Sequence, residues 1–70
     1  MKYEVKIKNM NCNHCVKKIT NILNNYGINV IQVNLEQKII YVDNDILKYP
    51  QLINELEEFE YFVEYSKNIQ

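Results

Sequence analysis

Over the first eight residues, apolar Tyr3, Val5 and Ile7 alternate with Lys2, Glu4, Lys6 and Lys8, the period of a strand with one buried and one wet face. Beyond Cys15 the period changes. Val16, Ile19, Ile22, Leu23 and Tyr26 recur at steps of three and four while Lys17, Lys18, Thr20, Asn21, Asn24 and Asn25 fill the other side, which predicts an amphipathic helix. Asn13 is placed to cap its start, and Gly27, the only glycine, to end it in the left-handed conformation. Ile31, Val33 and Leu35 then alternate with Gln32 and Asn34, and a polar turn near Glu36-Gln37-Lys38 leads into Ile39-Ile40-Tyr41-Val42, so these two strands form a hairpin. Either Ile39 and Tyr41 or Ile40 and Val42 could face the core. Asn44 and Asp45 begin a connection to a second helix, with Pro50 in its first turn, Tyr49, Leu52, Ile53, Leu56 and Phe59 on its buried face and Glu55, Glu57 and Glu58 outside. Tyr61 to Tyr65 reads as a last short strand, and the polar residues after it are expected to fray.

The order strand, helix, strand, strand, helix, strand predicts an α+β, ferredoxin-like βαββαβ sandwich, with a four-stranded antiparallel sheet carrying both helices on one face. The other face is left largely to water. With 70 residues and no linker or low-complexity stretch, residues 1–70 are expected to form one small domain, too small for a large enclosed active site. The net charge of −1, with lysines interspersed among acids, gives no footprint for nucleic acid. No uninterrupted apolar stretch resembles a signal peptide or a membrane span, so the chain is expected to be cytoplasmic and not inserted in a membrane. In that reducing compartment, two cysteines point to metal binding or redox chemistry before a structural disulfide.

Both cysteines fall in Met10-Asn11-Cys12-Asn13-His14-Cys15, between the first strand and the first helix. Two thiolates at that spacing can close on one soft ion. Unpaired N–H groups and the dipole at the helix N-terminus favour negative charge there, so Cys15, inside the first turn, is expected to have a lowered pKa. Two sulfurs with no third protein ligand suit Cu(I), which accepts low coordination, better than Zn(II), whose structural sites want four ligands. The same pair could also be half of a zinc site completed by another chain, an inert buried pair, or a thioredoxin-like dithiol. Against the last, the sole proline, Pro50, lies in the second helix. His14 carries an imidazole that suits copper, but between the cysteines on the first helical turn it is expected to project outward. Lys17 and Lys18 follow Cys15, either as a solvated face or as charges that partly neutralise a metal dithiolate.

The segment Asn9-Met10-Asn11-Cys12-Asn13-His14-Cys15, set in this order of elements and accompanied by Val33-Asn34-Leu35-Glu36, resembles the heavy-metal-associated domain family over essentially the whole chain. His14, the short length and Tyr61 most resemble its bacterial copper chaperones of the CopZ type. The resemblance implies a non-enzymatic Cu(I) carrier in which Cys12 and Cys15 bind the ion and pass it to the metal-binding domain of a copper-transporting P-type ATPase. A copper-responsive repressor is a further partner it suggests, and a regulatory domain of a Cu or Zn/Cd/Hg transporting ATPase is the alternative role; an exposed two-coordinate ion can also take sulfur from a second copy, which predicts a metal-bridged homodimer. It also implies that Met10 supports the loop from within the core. Tyr61 would lean toward the metal from the loop before the last strand and donate a hydrogen bond to sulfur. Two positions depart from or qualify the pattern. Asn9 stands where the family usually has Gly; Asn tolerates the left-handed backbone region better than most residues, so the loop is expected to survive with some local strain. Asn11 stands where zinc and cadmium exporters carry Asp, which favours copper.

Overall fold

The computed structural model describes residues 1–69 and runs β1 (Tyr3–Ile7), α1 (Asn13–Asn25), β2 (Val30–Asn34), β3 (Ile39–Val42), a 3-10 turn (Ile46–Lys48), α2 (Pro50–Glu58) and β4 (Val63–Asn68). The strands form one antiparallel sheet in the order β2-β3-β1-β4. This is the ferredoxin-like arrangement. Val5 and Ile7 of β1, Ile40 and Val42 of β3, Ile19, Ile22 and Leu23 of α1, and Leu52 and Leu56 of α2 share one buried cluster, so both helices lie on the same face. Truncating a fully buried leucine such as Leu52 or Leu56 to alanine should cost about 2–5 kcal/mol.

Ile40 and Val42 are fully buried in this cluster, whereas Tyr41 on the alternate face is only half-buried; this selects between the two faces that the strand left open. On β2 the expected alternation of Ile31, Val33 and Leu35 breaks. Val30 pairs with Val42 and Gln32 with Tyr41, so Ile31 is an extra residue in a bulge. Ile31 turns outward, half exposed, and Val30 packs on the core in its place. A bulge shifts the period by one and reverses the faces on either side of it.

The helix ends differ from expectation at α1's start and agree at its finish. Cys12, not Asn13, occupies the cap position, in an extended conformation and without a side-chain hydrogen bond to the helix; Asn13 is the first helical residue. At the far end Gly27 has a φ of 75°, its N–H donates to the Asn24 carbonyl at 3.0 Å, and the Ile28 N–H reaches back to the Leu23 carbonyl at 3.0 Å. This is the Schellman pattern, with Leu23 and Ile28 as its apolar pair.

The second helix repeats the pattern with a different residue. Glu60 takes the left-handed position at φ 67°, its N–H bonds Glu57 at 2.9 Å, and the Tyr61 N–H bonds Leu56 at 2.8 Å. Phe59, expected on the buried face, is instead the exposed C-cap of α2, with the Lys18 ammonium 5.9 Å above its ring. The last strand begins later than expected, at Val63, and reaches Asn68, where an N–H from Ile69 to the Lys2 carbonyl at 3.0 Å continues the pairing. The tail expected to fray is therefore paired to β1 through Ile69, and Gln70 lies outside the described residues. On the solvent face, Glu4 accepts a hydrogen bond from the Tyr65 hydroxyl at 2.7 Å and lies 3.6 Å from Lys67, while Lys6 faces Glu64 at 3.5 Å. These polar pairs keep the uncovered face of β1 and β4 wet.

Candidate metal centre

The loop from Lys8 to Cys12 carries the chain from β1 to α1, at the same end of the molecule as the turn between α2 and β4. Met10 anchors it. Its side chain is fully buried in the main cluster, which fixes the loop from below and leaves Asn11, Cys12, Asn13 and His14 exposed. Because Cys12 precedes the helix and Cys15 is its third residue, one helical turn brings the two sulfurs to 3.4 Å. Both cysteines are free thiols, Cys12 exposed and Cys15 half-buried.

The Cys15 sulfur sits in a nest of donors. The Tyr61 hydroxyl, the Asn11 backbone N–H and the Cys12 thiol all stabilise its thiolate, and they draw the Cys15 pKa from an ordinary 9.0 down to about 7. The same contact holds the phenolic proton on Tyr61, whose pKa is pushed up to about 12. The direction is the one expected from the helix N-terminus, but its first cause is a tyrosine from the other half of the chain. A thiol so placed is substantially ionised near neutral pH and thus ready to ligate.

Tyr61 itself lies in the loop before β4 and is buried save for a small exposed edge. The Schellman turn at the end of α2 points its backbone toward the core, and two hydrogen bonds bracket it: the Lys8 N–H to the Phe62 carbonyl at 2.9 Å and the Asn9 side-chain amide to the Glu60 carbonyl at 2.6 Å. Asn9 does not adopt the left-handed backbone expected of it, since among the described non-glycine residues only Lys38 and Glu60 have positive φ. The strain lies at Glu60 instead.

His14 is exposed on the first turn of α1, and Lys17 is exposed one turn on. Lys18 is engaged with the Phe59 ring. No cluster of three or more His, Cys, Asp or Glu side chains able to hold a metal occurs among the described residues, so the two thiols stand as a donor pair. An open groove of about 650 Å³ lies elsewhere, lined by Lys6, Lys8, Glu36, Lys38 and Glu64, and includes neither cysteine.

The structure brings Cys12, Cys15, Met10 and Tyr61 together; sequence reading missed the parts that aim Tyr61, namely Glu60 and the side chain of Asn9. A signal was present. Apolar residues five apart, Leu23 with Ile28 and Leu56 with Tyr61, mark both helix ends, but only the first has a glycine between to announce it.

The family model of the heavy-metal-associated domain matches residues 4–62, a span that includes β1, the cysteine loop and the Tyr61 turn. The chain belongs to the heavy-metal-associated domain family. Among solved structures, this heavy-metal-associated domain is similar to a heavy metal binding protein of Thermotoga maritima determined by NMR, at 29% identity and a TM-score of 0.77, covering 99% of this chain and 100% of that one. None of the curated proteins matches it significantly. No helix among the described residues is long and apolar enough to cross a membrane.

Proposed function

We propose that the protein is a cytoplasmic copper(I) chaperone, a carrier that passes its ion by thiolate exchange and not an enzyme. The observation that carries this reading is the pair of free sulfurs 3.4 Å apart at an exposed strand-to-helix loop, one of them held as a thiolate donor by Tyr61. Two sulfurs each about 2.3 Å from one ion lie at most about 4.6 Å apart, so a small opening of the loop admits the metal. Soft thiolates select Cu(I), and a site with only two of them underfills Zn(II). Asn11 supports the same choice, because an amide beside the pair is a poorer ligand for a divalent ion than a carboxylate. The Thermotoga maritima neighbour is named as a heavy metal binding protein, which agrees with the class of ion.

Transfer follows from the open side of the site. An incoming cysteine of the acceptor loses its proton and adds its sulfur to the ion, giving three-coordinate copper. Cys15 or Cys12 then leaves as a thiolate and takes up a proton, and a second acceptor sulfur replaces the other. Tyr61 assists by donating to the Cys15 sulfur as negative charge returns to it. The acceptor on this reading is the metal-binding domain of a copper-transporting P-type ATPase, with a copper-responsive repressor as another recipient and a second copy of the chain as a bridge when acceptors are scarce.

The test is transfer from the Cu(I)-loaded protein to a like-folded Cys-x-x-Cys domain of a copper ATPase. A rate that rises in proportion to acceptor concentration is expected. A rate independent of acceptor, set by release of free ion, would overturn direct exchange.

A further inference from the structure

The Asn9 backbone is not left-handed, so a demand for backbone freedom does not account for its place in the loop. Its side chain does something a glycine cannot. The Asn9 amide donates to the Glu60 carbonyl at 2.6 Å across 51 residues of sequence, tying the metal loop to the turn that carries Tyr61. Glu60 is the strained residue of that turn, at φ 67°, and its neighbour on the other side of Tyr61, Phe62, is tied to the same loop through the Lys8 N–H at 2.9 Å. Asn9 is itself held in place by Met10, which is fully buried. The chain on both sides of Tyr61 is thereby tied, through the Glu60 and Phe62 carbonyls, to the loop that carries Cys12.

We propose that Asn9 is a positioning residue for metal transfer: its amide latches the α2–β4 turn to the metal loop and so keeps the Tyr61 hydroxyl on the Cys15 sulfur while copper is exchanged. The inference rests on the transfer reading above. When Cys15 leaves the ion, a donor already in place stabilises the departing thiolate. Without the latch, the turn relaxes about its strained Glu60 and the hydroxyl is away from the sulfur for part of the time.

A double-mutant cycle separates this from a merely structural effect, because a residue acting through Tyr61 has nothing left to do once that hydroxyl is gone. The rate of Cu(I) extraction by excess bathocuproine disulfonate is measured by stopped flow, at a fixed mildly alkaline pH, for wild type, Asn9→Ala, Tyr61→Phe and the double variant. Asn9→Gly serves as a second deletion of the side chain, and thermal melts confirm that each variant is folded. Tyr61→Phe should slow extraction by about fivefold, the scale of one lost hydrogen bond, Asn9→Ala should slow it by a smaller factor, and the double variant should be no slower than Tyr61→Phe alone. In the metal-free protein, hydrogen exchange at the Tyr61 amide should quicken in Asn9→Ala and Asn9→Gly. An unchanged or faster extraction rate in the folded Asn9 variants, or effects that multiply in the double variant, would overturn the latch. If the wild type itself fails to retain Cu(I) while the amide exchange of the Asn9 variants still quickens, the copper reading falls, and the transfer role falls with it.

Discussion

At Cys15 the local fold does chemical work before any metal arrives, because donors from two distant parts of the chain, Tyr61 and the Asn11–Cys12 segment, converge on one sulfur. The folded pKa lies near 7 against an ordinary 9.0, so the unfolded chain binds more protons between those values. The metal-free fold therefore gains stability from this group as pH rises through that window and loses it as pH falls through the lower value. Alkylation of Cys15 by iodoacetamide, followed by mass spectrometry of the modified peptide, should accelerate with a midpoint close to pH 7. Tyr61→Phe removes the main donor and should move the midpoint upward; an unmoved midpoint would mean that the hydroxyl does not serve the sulfur. Asn11 tests selectivity at the same scale. Asn11→Asp supplies a hard oxygen beside the pair and should raise Zn(II) affinity more than Cu(I) affinity in anaerobic competition titrations. Equal gains for both metals would show that the side chain does not face the ion.

At the level of elements, the two helices end in the same hydrogen-bond pattern, one with Gly27 and one with Glu60 at the left-handed position. Only the second is strained. Glu60→Gly keeps the carbonyl that Asn9 uses and relieves the backbone, so it should stabilise the protein by about 1 kcal/mol, seen as a rise in melting temperature of about 4–8 °C. A lower melting temperature would place some other contact of the Glu60 side chain above the backbone strain. The same elements show what could be read in advance. Val5 and Ile7, the helical repeats Ile19, Ile22, Leu23 and Leu52, Leu56, and Gly27 declare their roles locally, since period and turn chemistry suffice. Ile31 and Val30 do not, because a bulge is a property of the pairing with β3 and leaves no trace in the strand's own apolar pattern. Phe59 follows the helical spacing but lies at the C-cap, where the chain has already turned away from the core. The cysteines could be found from spacing and placement. The latch of Asn9 on Glu60 could not, as it depends on two loops meeting across the sheet.

For the molecule as a whole, the architecture gathers the cysteine loop and the Tyr61 turn at one end and leaves the donor pair open to solvent. An open, underfilled ion takes sulfur from whatever approaches. Loading with Cu(I) at low thiol concentration should therefore drive self-association in sedimentation experiments, and glutathione should reverse it; a strictly monomeric protein at one equivalent, without competing thiol, would argue for a closed site. The central proposal is that Cys12 and Cys15 together hold one Cu(I). Anaerobic titration of Cu(I) against a competing chelator, for wild type, Cys12→Ser and Cys15→Ser, with circular dichroism of each metal-free protein, tests it most directly. One equivalent bound tightly by wild type, and tight binding lost in both folded serine variants, is the predicted result; wild-type affinity in either variant would contradict the two-sulfur site.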